Sequence, residues 1–305
     1  MRIVYFGTGD FAIPSLVRLH PHVTLLVTQP DRPSGRKLAL QPTPAKLAAL
    51  ELGIPVESPE RSRAPEFVER LQAEEADFLL VASYGQILSE AVLTSARRGG
   101  INLHGSILPR YRGAAPIQRA IERGEAETGV TVMQMDRGMD TGDAIEIRST
   151  PIGPDETYGE LQSRLSMIAA DLAEEWAPRI LVGAYPRVPQ DASFATLAPK
   201  VERRETELSL ADTSASLYAR IRAFSPSPGT SIATRFGRLK MVRCRQSELS
   251  GTPGTLVALN PDVVVACAAG SIRLLEVQAE GKRPMEGRAW ANGARLRIGD
   301  NLLAP

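Results

Sequence analysis

Residues 99–124 read Gly99-Gly-Ile-Asn-Leu-His-Gly-Ser-Ile-Leu-Pro-Arg-Tyr-Arg-Gly-Ala-Ala-Pro-Ile-Gln-Arg-Ala-Ile-Glu-Arg-Gly124. A short apolar strand is expected to end near His104. Gly105 and Pro109 interrupt regular structure, and a helix over 114–123 is stopped by Gly124. Strand, glycine turn and helix make the repeating unit of an α/β domain. Polar side chains at the carboxyl end of such a strand face the ligand crevice. Asn102 and His104 are two apart, so a strand sets both on one face. An amide N–H and an imidazolium can both donate to an oxygen that is gaining negative charge. Asp140 follows in Asp136-Arg-Gly-Met-Asp-Thr-Gly-Asp143. A carboxylate there can favour the charged imidazole or order a water that carries a proton. Taken singly, a histidine at a strand end is usually structural, and an Asp between glycines usually serves its own turn. The three together point to chemistry at a carbonyl carbon. His20 and His22 flank Pro21 in a loop and are read as structural.

The same strand–helix alternation extends outward from this unit. Further buried strands are expected over 3–6, 23–28 and 78–82, with helices over 45–52 and 66–74 between them. Strands over 130–135 and 144–147 bracket Asp140. Thr157-Tyr-Gly-Glu160 is a capping box opening a long helix that Gly183 ends, with Pro178 expected to kink it or split off its last turn. The prediction is a Rossmann-like, mostly parallel sheet over 1–189 as the catalytic domain. A linker over 190–204 and a second domain over 205–305 follow. In that second domain five short β-rich segments (230–236, 239–244, 255–259, 263–268 and 271–277) alternate with turns, which suggests a small OB-like β-barrel.

Composition sets outer limits. The chain has 305 residues, 43% hydrophobic and 23% charged, with a net charge of +1, as in a water-soluble globular protein. No apolar run approaches the ~20 residues that span a bilayer. The opening residues lack the apolar core of a secretory signal, so a cytoplasmic location is expected; a monomer is the separate expectation for the assembly. Cys244 and Cys267 lie in alternating strand-like runs and are read as buried thiols. No ligand spacing suggests a metal. Residues 205–305 carry 13 Lys and Arg against 9 Asp and Glu. Five of those cations, Arg235, Arg238, Lys240, Arg243 and Arg245, fall within eleven residues containing no acid. A charge run is usually a solvated face. On a hairpin of a small barrel it also fits a nucleic-acid surface.

Several stretches resemble the folate-dependent formyltransferases over nearly the whole chain. They are 102–118 with Asp140, the opening Arg2-Ile-Val-Tyr-Phe-Gly-Thr-Gly-Asp-Phe-Ala12, and Gln29-Pro-Asp-Arg-Pro-Ser-Gly-Arg-Lys-Leu38. Ala82-Ser-Tyr-Gly-Gln-Ile-Leu88, Ile221-Arg-Ala-Phe-Ser-Pro-Ser-Pro-Gly229 and Glu280-Gly-Lys-Arg-Pro-Met285 complete the set. The resemblance implies that Asn102, His104 and Asp140 are catalytic and that Ser106, Ile107, Leu108 and Pro109 touch the folate. It implies 10-formyltetrahydrofolate as co-substrate and methionyl initiator tRNA as acceptor. The loop cations Arg32, Arg36 and Lys37 and the hairpin cations Arg238, Lys240 and Arg243 are then the expected tRNA contacts. The chain departs from the family pattern at Gly9, where Pro is usual, in a shorter basic loop after 31, and at Pro226-Ser-Pro228, where Pro-Trp-Pro is usual.

Two other classes compete. Gly7-Thr-Gly-Asp-Phe-Ala12 after a first strand, with Asp31 downstream, fits a dinucleotide fingerprint and a nicotinamide-dependent oxidoreductase. That reading leaves 102–118 unexplained, and the residues after Asp31 read as a loop. A non-catalytic RNA-binding protein would not need the Asn, His and Asp. Among formyl acceptors, glycinamide ribonucleotide and amino sugars are the alternatives to tRNA. The basic loop and basic barrel favour tRNA.

Overall fold

The structure is a computed structural model that describes residues 1–34 and 39–303. The chain forms two compact units. One comprises 1–116, 127–150 and 162–199, the other 117–126, 151–161 and 200–305. The first ten residues of the expected linker, 190–199, thus belong to the first unit, and 200–204 to the second.

The first unit contains strands β1 (Ile3–Gly7), β2 (Val23–Val27), β3 (Arg32–Ser34), β4 (Ala39–Gln41), β5 (Val56–Glu57), β6 (Phe78–Ala82), β7 (Gly100–His104), β8 (Glu127–Gln134) and β9 (Ala144–Pro151). Seven of them form one sheet in the order β5-β2-β1-β6-β7-β8-β9. Strands β5, β2, β1, β6 and β7 run parallel, and β8 pairs antiparallel with β7. The mostly parallel sheet expected from sequence is therefore present. Strands β1, β6 and β7 are buried throughout, because helices cover both faces of such a sheet, and their sequences are continuous apolar runs. The register sets Val27, Phe6, Val81 and Asn102 in one row across four strands. The stretch after Asp31, expected as a loop, pairs β3 with β4 antiparallel on either side of 35–38.

The helices are α1 (Ile13–Leu19), α2 (Pro44–Glu51), α3 (Pro65–Gln72), α4 (Glu90–Leu93), α5 (Pro116–Glu122), α6 (Tyr158–Val182), α7 (Ser214–Phe224) and α8 (Gly287–Gly293). Their starts follow the expected chemistry. Thr43 Oγ1 accepts the Lys46 N–H and Pro44 occupies the first turn of α2. At α6 the Glu160 carboxylate accepts the Thr157 N–H at 2.9 Å and the Thr157 hydroxyl accepts the Glu160 N–H at 3.5 Å. Gly183, at φ +78, ends α6 with its N–H on the Ile180 carbonyl and that of Ala184 on Arg179. Pro178 does not split the helix, which runs unbroken over 25 residues. Trp176, Ala177 and Ile180 are buried on either side of it, and their packing offsets the ~3 kcal/mol an interior proline costs.

The second unit contains β10 (Thr230–Thr234), β11 (Gly237–Ser247), β12 (Leu256–Ala258), β13 (Val263–Ala266), β14 (Ser271–Ala279) and β15 (Met285–Glu286). The five strands expected of the small barrel form one antiparallel sheet, β10-β11-β14-β13-β12, with β15 added on β14. Helix α7 contributes Leu217 and Ile221 to its core, and α8 contributes Trp290. Leu239, Met241 and Cys244 all face that core, a spacing of two and then three. The extra residue is absorbed where the β11–β14 register shifts between Met241 and Cys244.

Candidate functional site

Asn102 and His104 sit at the carboxyl end of β7, both nearly enclosed, at 8% and 6% exposure. β8 backs them in register, with Met133 opposite Asn102 and Thr131 opposite His104. Thr131 pins the loop that leaves the strand. Its hydroxyl donates to the Ser106 carbonyl at 2.7 Å and accepts the Leu108 N–H at 3.1 Å. The Ser106 hydroxyl donates onward to the Arg110 carbonyl at 2.7 Å. Ser106 and Leu108 are buried, while Ile107 and Pro109 keep part of their surface open. Of the four expected folate contacts, the latter two present open side-chain surface.

The loop then turns through Tyr111, a non-glycine residue at φ +63. This conformation costs of order 1 kcal/mol and is held only where surroundings enforce it. Here it aims the Tyr111 carbonyl at His104. Nε2 lies 2.9 Å from that oxygen; a carbonyl only accepts, so Nε2 carries the proton. Nδ1 is then the nitrogen that faces the site.

Asp140 arrives on the β8–β9 loop and is the second non-glycine residue of the site at positive φ, +56. Its Oδ2 is 3.7 Å from His104 Nδ1 and accepts the Gly113 N–H at 2.8 Å. Its Oδ1 accepts from Asn102 Nδ2 at 3.4 Å. The amide keeps its second N–H for another acceptor. Glycine is required around this carboxylate. A Cβ on Gly142 would lie 1.8 Å from the Gln134 carbonyl, and one on Gly113, at φ +124, 2.8 Å from the Ala198 carbonyl. The half-exposed Met139 adjoins Asp140. The structure therefore brings together all three residues expected to be catalytic. The adjoining loops keep apolar surface open at Ile107, Pro109 and Met139, and the Asn102 amide and a charged His104 ring are the donors beside the carboxylate. That donor set suits a carbonyl group carried on a flat, partly apolar molecule. Among the described residues no three His, Cys, Asp or Glu side chains gather as a metal site.

Residues missed from sequence complete the frame. Gly113 and Tyr111 lay within the quoted motif but act through the backbone, which side-chain chemistry does not signal. Gln190 lay in the stretch expected as linker. It bonds to the carbonyls of Asp140 and Gly142 and to Arg112.

The expected tRNA contacts are more dispersed. Arg32 opens β3 and is exposed; Arg36 and Lys37 lie outside the described residues. The cations of β10–β11 do not project alone. Arg238 pairs with Glu207 at 2.7 Å, Arg243 with Glu160 at 2.5 Å and Arg245 with Asp155 at 2.8 Å. Lys240 donates to the Pro226 carbonyl at 3.2 Å. Acids remote in sequence thus fold against a run that contains none. Asp31, the residue a dinucleotide fingerprint would give to a ribose, is ion-paired with Lys46 at 2.8 Å.

Comparisons with known proteins identify relatives along the whole chain. The formyl transferase family matches residues 1–178 and the formyl transferase C-terminal domain residues 200–295. A methionyl-tRNA formyltransferase from Geobacter metallireducens is 40% identical, covering 99% of this chain and 98% of its own. One from Symbiobacterium thermophilum is 42% identical, covering 100% and 96%. Among solved structures, an N-formyltransferase from Helicobacter canadensis with folinic acid and dTDP-3-aminofucose superposes with a TM-score of 0.65 at 16% identity. It covers 90% of this chain and 98% of that one. HypX from Aquifex aeolicus with tetrahydrofolic acid gives 0.66 at 15%, over 99% and 48%. At such identities these two bear on the fold alone.

Proposed function

The chain belongs to the formyl transferase family, and from that premise we propose that it transfers the formyl group of 10-formyltetrahydrofolate to the α-amine of methionyl initiator tRNA, giving N-formylmethionyl-tRNA for translation initiation. The convergence of Asn102, His104 and Asp140 carries the chemistry. The full-length relatives named for methionyl-tRNA carry the choice of acceptor.

The bound folate supplies an activated one-carbon unit at the formyl oxidation level. Ile107 and Pro109 hold its ring against the rigid 105–110 loop. Asn102, through its uncommitted N–H, and His104, through Nδ1, donate to the carbonyl oxygen as it gains charge. Asp140 stabilises the charged ring of His104 and receives the proton that the attacking amine sheds, for delivery to the leaving nitrogen. Arg32, Arg36 and Lys37 meet the acceptor end of the tRNA, and Arg238, Lys240 and Arg243 its phosphates. The same reading has the enzyme act in the cytoplasm as a monomer, which sedimentation tests. Among the described residues no helix is long and apolar enough to cross a membrane. A formylation assay with methionylated initiator and elongator tRNAs tests the whole. Formyl transfer to the initiator alone is expected, and none to either would overturn the reading.

A further inference from the structure

Resting on that reading, we propose that Gln190 is a positioning residue of the formyl-transfer site: it fixes the Asp140 loop so that the carboxylate faces His104 Nδ1. Residues 188–198 form a strap across the first unit. Val188 and Ala144 exchange both backbone hydrogen bonds at 2.9 Å. Further along, Arg112 N–H donates to the Thr196 carbonyl at 2.8 Å and Ala198 N–H to the Arg112 carbonyl at 2.7 Å. The Thr196 hydroxyl accepts the Tyr111 N–H at 2.9 Å. The strap thus holds the base of the Asp140 loop at one end and the loop carrying Tyr111 and Gly113 at the other.

Gln190 lies between those anchors and joins them through its side chain. Nε2 donates to the Asp140 carbonyl at 3.0 Å and to the Gly142 carbonyl at 2.7 Å. Oε1 accepts from Arg112 Nε at 3.1 Å and Nη2 at 2.7 Å. Both donors and both lone pairs are used. The amide orientation is forced, since the flipped group would set an oxygen against two carbonyls and an N–H₂ against a guanidinium. One side chain therefore ties the positive-φ backbone of Asp140 to the residue next to Gly113, whose N–H holds the Asp140 carboxylate. Gln190 itself makes no bond to Asn102 or His104 in these networks; its influence passes through Asp140.

The test combines Gln190→Met, which keeps the size and removes every bond, with Gln190→Glu, which keeps the Arg112 acceptor and removes both donors. Each is made in the parent and in Asp140→Asn. Gln190→Met is expected to lower kcat roughly tenfold to a hundredfold while the KM values for tRNA and folate change less than about threefold. Gln190→Glu is expected to lose at least as much, because it sets a carboxylate against two carbonyls. In Asp140→Asn the further loss from either change should shrink to about threefold or less, because the group being positioned is already disabled. The chain has three histidines, so ring ¹⁵N spectra follow His104 without turnover. Its Nδ1 resonance should move in both variants while those of His20 and His22 stay. Equal fold losses in both backgrounds, or an unchanged kcat with a still His104 resonance, would overturn the inference. The spectrum of Gln190→Glu decides the matter if Gln190→Met does not fold. Failure of the parent to formylate methionyl-tRNA would instead remove the reading beneath it.

Discussion

Asp140 draws its use from being held by others. Gly113 N–H and Asn102 Nδ2 occupy its two oxygens, which sets Oδ2 3.7 Å from His104 Nδ1. His104→Ala and Asp140→Ala are therefore each expected to reduce kcat by about a hundredfold or more. Equilibrium binding of folate and tRNA should change far less. Single-turnover formylation beside direct binding measurements checks this; a near-normal kcat in His104→Ala would contradict the assignment. At this scale the side chains were legible in sequence and their supports were not. Asn102 and His104 announce themselves by a spacing of two on a strand. Gly113 and Tyr111 contribute an N–H and a carbonyl, which every residue has, and only their backbone angles make them useful. Gln190 is one glutamine in a stretch without periodicity. Its four bonds go to three residues, Arg112, Asp140 and Gly142, that lie 48 to 78 residues away.

At the scale of elements, β11 shows how a charge run changes meaning on folding. The cations of 235–245 look free in sequence, but Glu207, Glu160 and Asp155 come to them from other segments of the same unit. A phosphate backbone must displace these carboxylates before it gains the arginines. Glu207→Gln, which releases Arg238, is expected to raise tRNA affinity and steepen its dependence on salt, and Arg238→Ala to do the reverse. Affinity against salt concentration distinguishes them. Superimposable lines for both variants would show that β11 meets no phosphate. The same pairs set a response to acid. Tyr218 O–H and then Arg245 hold Asp155 below its ordinary 3.8, against partial burial. At Glu160 burial opposes the charge, but the Thr157 N–H and Arg243 together outweigh it and keep the carboxyl below 4.5. Depressed carboxyls contribute stability that is fully present above their unfolded values and is lost as pH falls through the folded ones. Both are substantially exposed, so each is worth only ~0.2–1 kcal/mol. Denaturant unfolding of Glu160→Gln should show a small deficit at neutral pH that closes below about pH 4.5. A deficit that persists undiminished in acid would assign it to packing.

Over the whole molecule, the mostly parallel sheet was readable because apolar runs of four to six residues, punctuated by helices, leave few other ways to pair, whereas the order β5-β2-β1-β6-β7-β8-β9 was not read. Nor was the partition of the chain. Segments 117–126 and 151–161 join the second unit through bonds formed far along the chain. Arg222 donates to the Glu156 and Gly153 carbonyls, Tyr218 to Asp155 and the Pro154 carbonyl, and Arg119 to Glu205. A fragment of 200–305 keeps its apolar core but loses these partners. It should unfold roughly 5–15 °C below a version carrying 151–161 on a flexible tether, as expected for ~1–2 kcal/mol in a domain of that size. Melting curves of the two fragments decide, and identical midpoints would show that the early segments add nothing.

The chain crosses between the units at 116/117, 126/127, 150/151, 161/162 and 199/200. Inheritance of the second unit is therefore not a matter of one breakpoint. A recombinant spliced at residue 200 would take Arg243 and Arg245 from one parent and Glu160 and Asp155 from the other, and could keep the match only where both parents agree. Exchange of a whole unit between relatives requires three pieces of chain to travel together, so the halves of this protein are constrained to diverge in step.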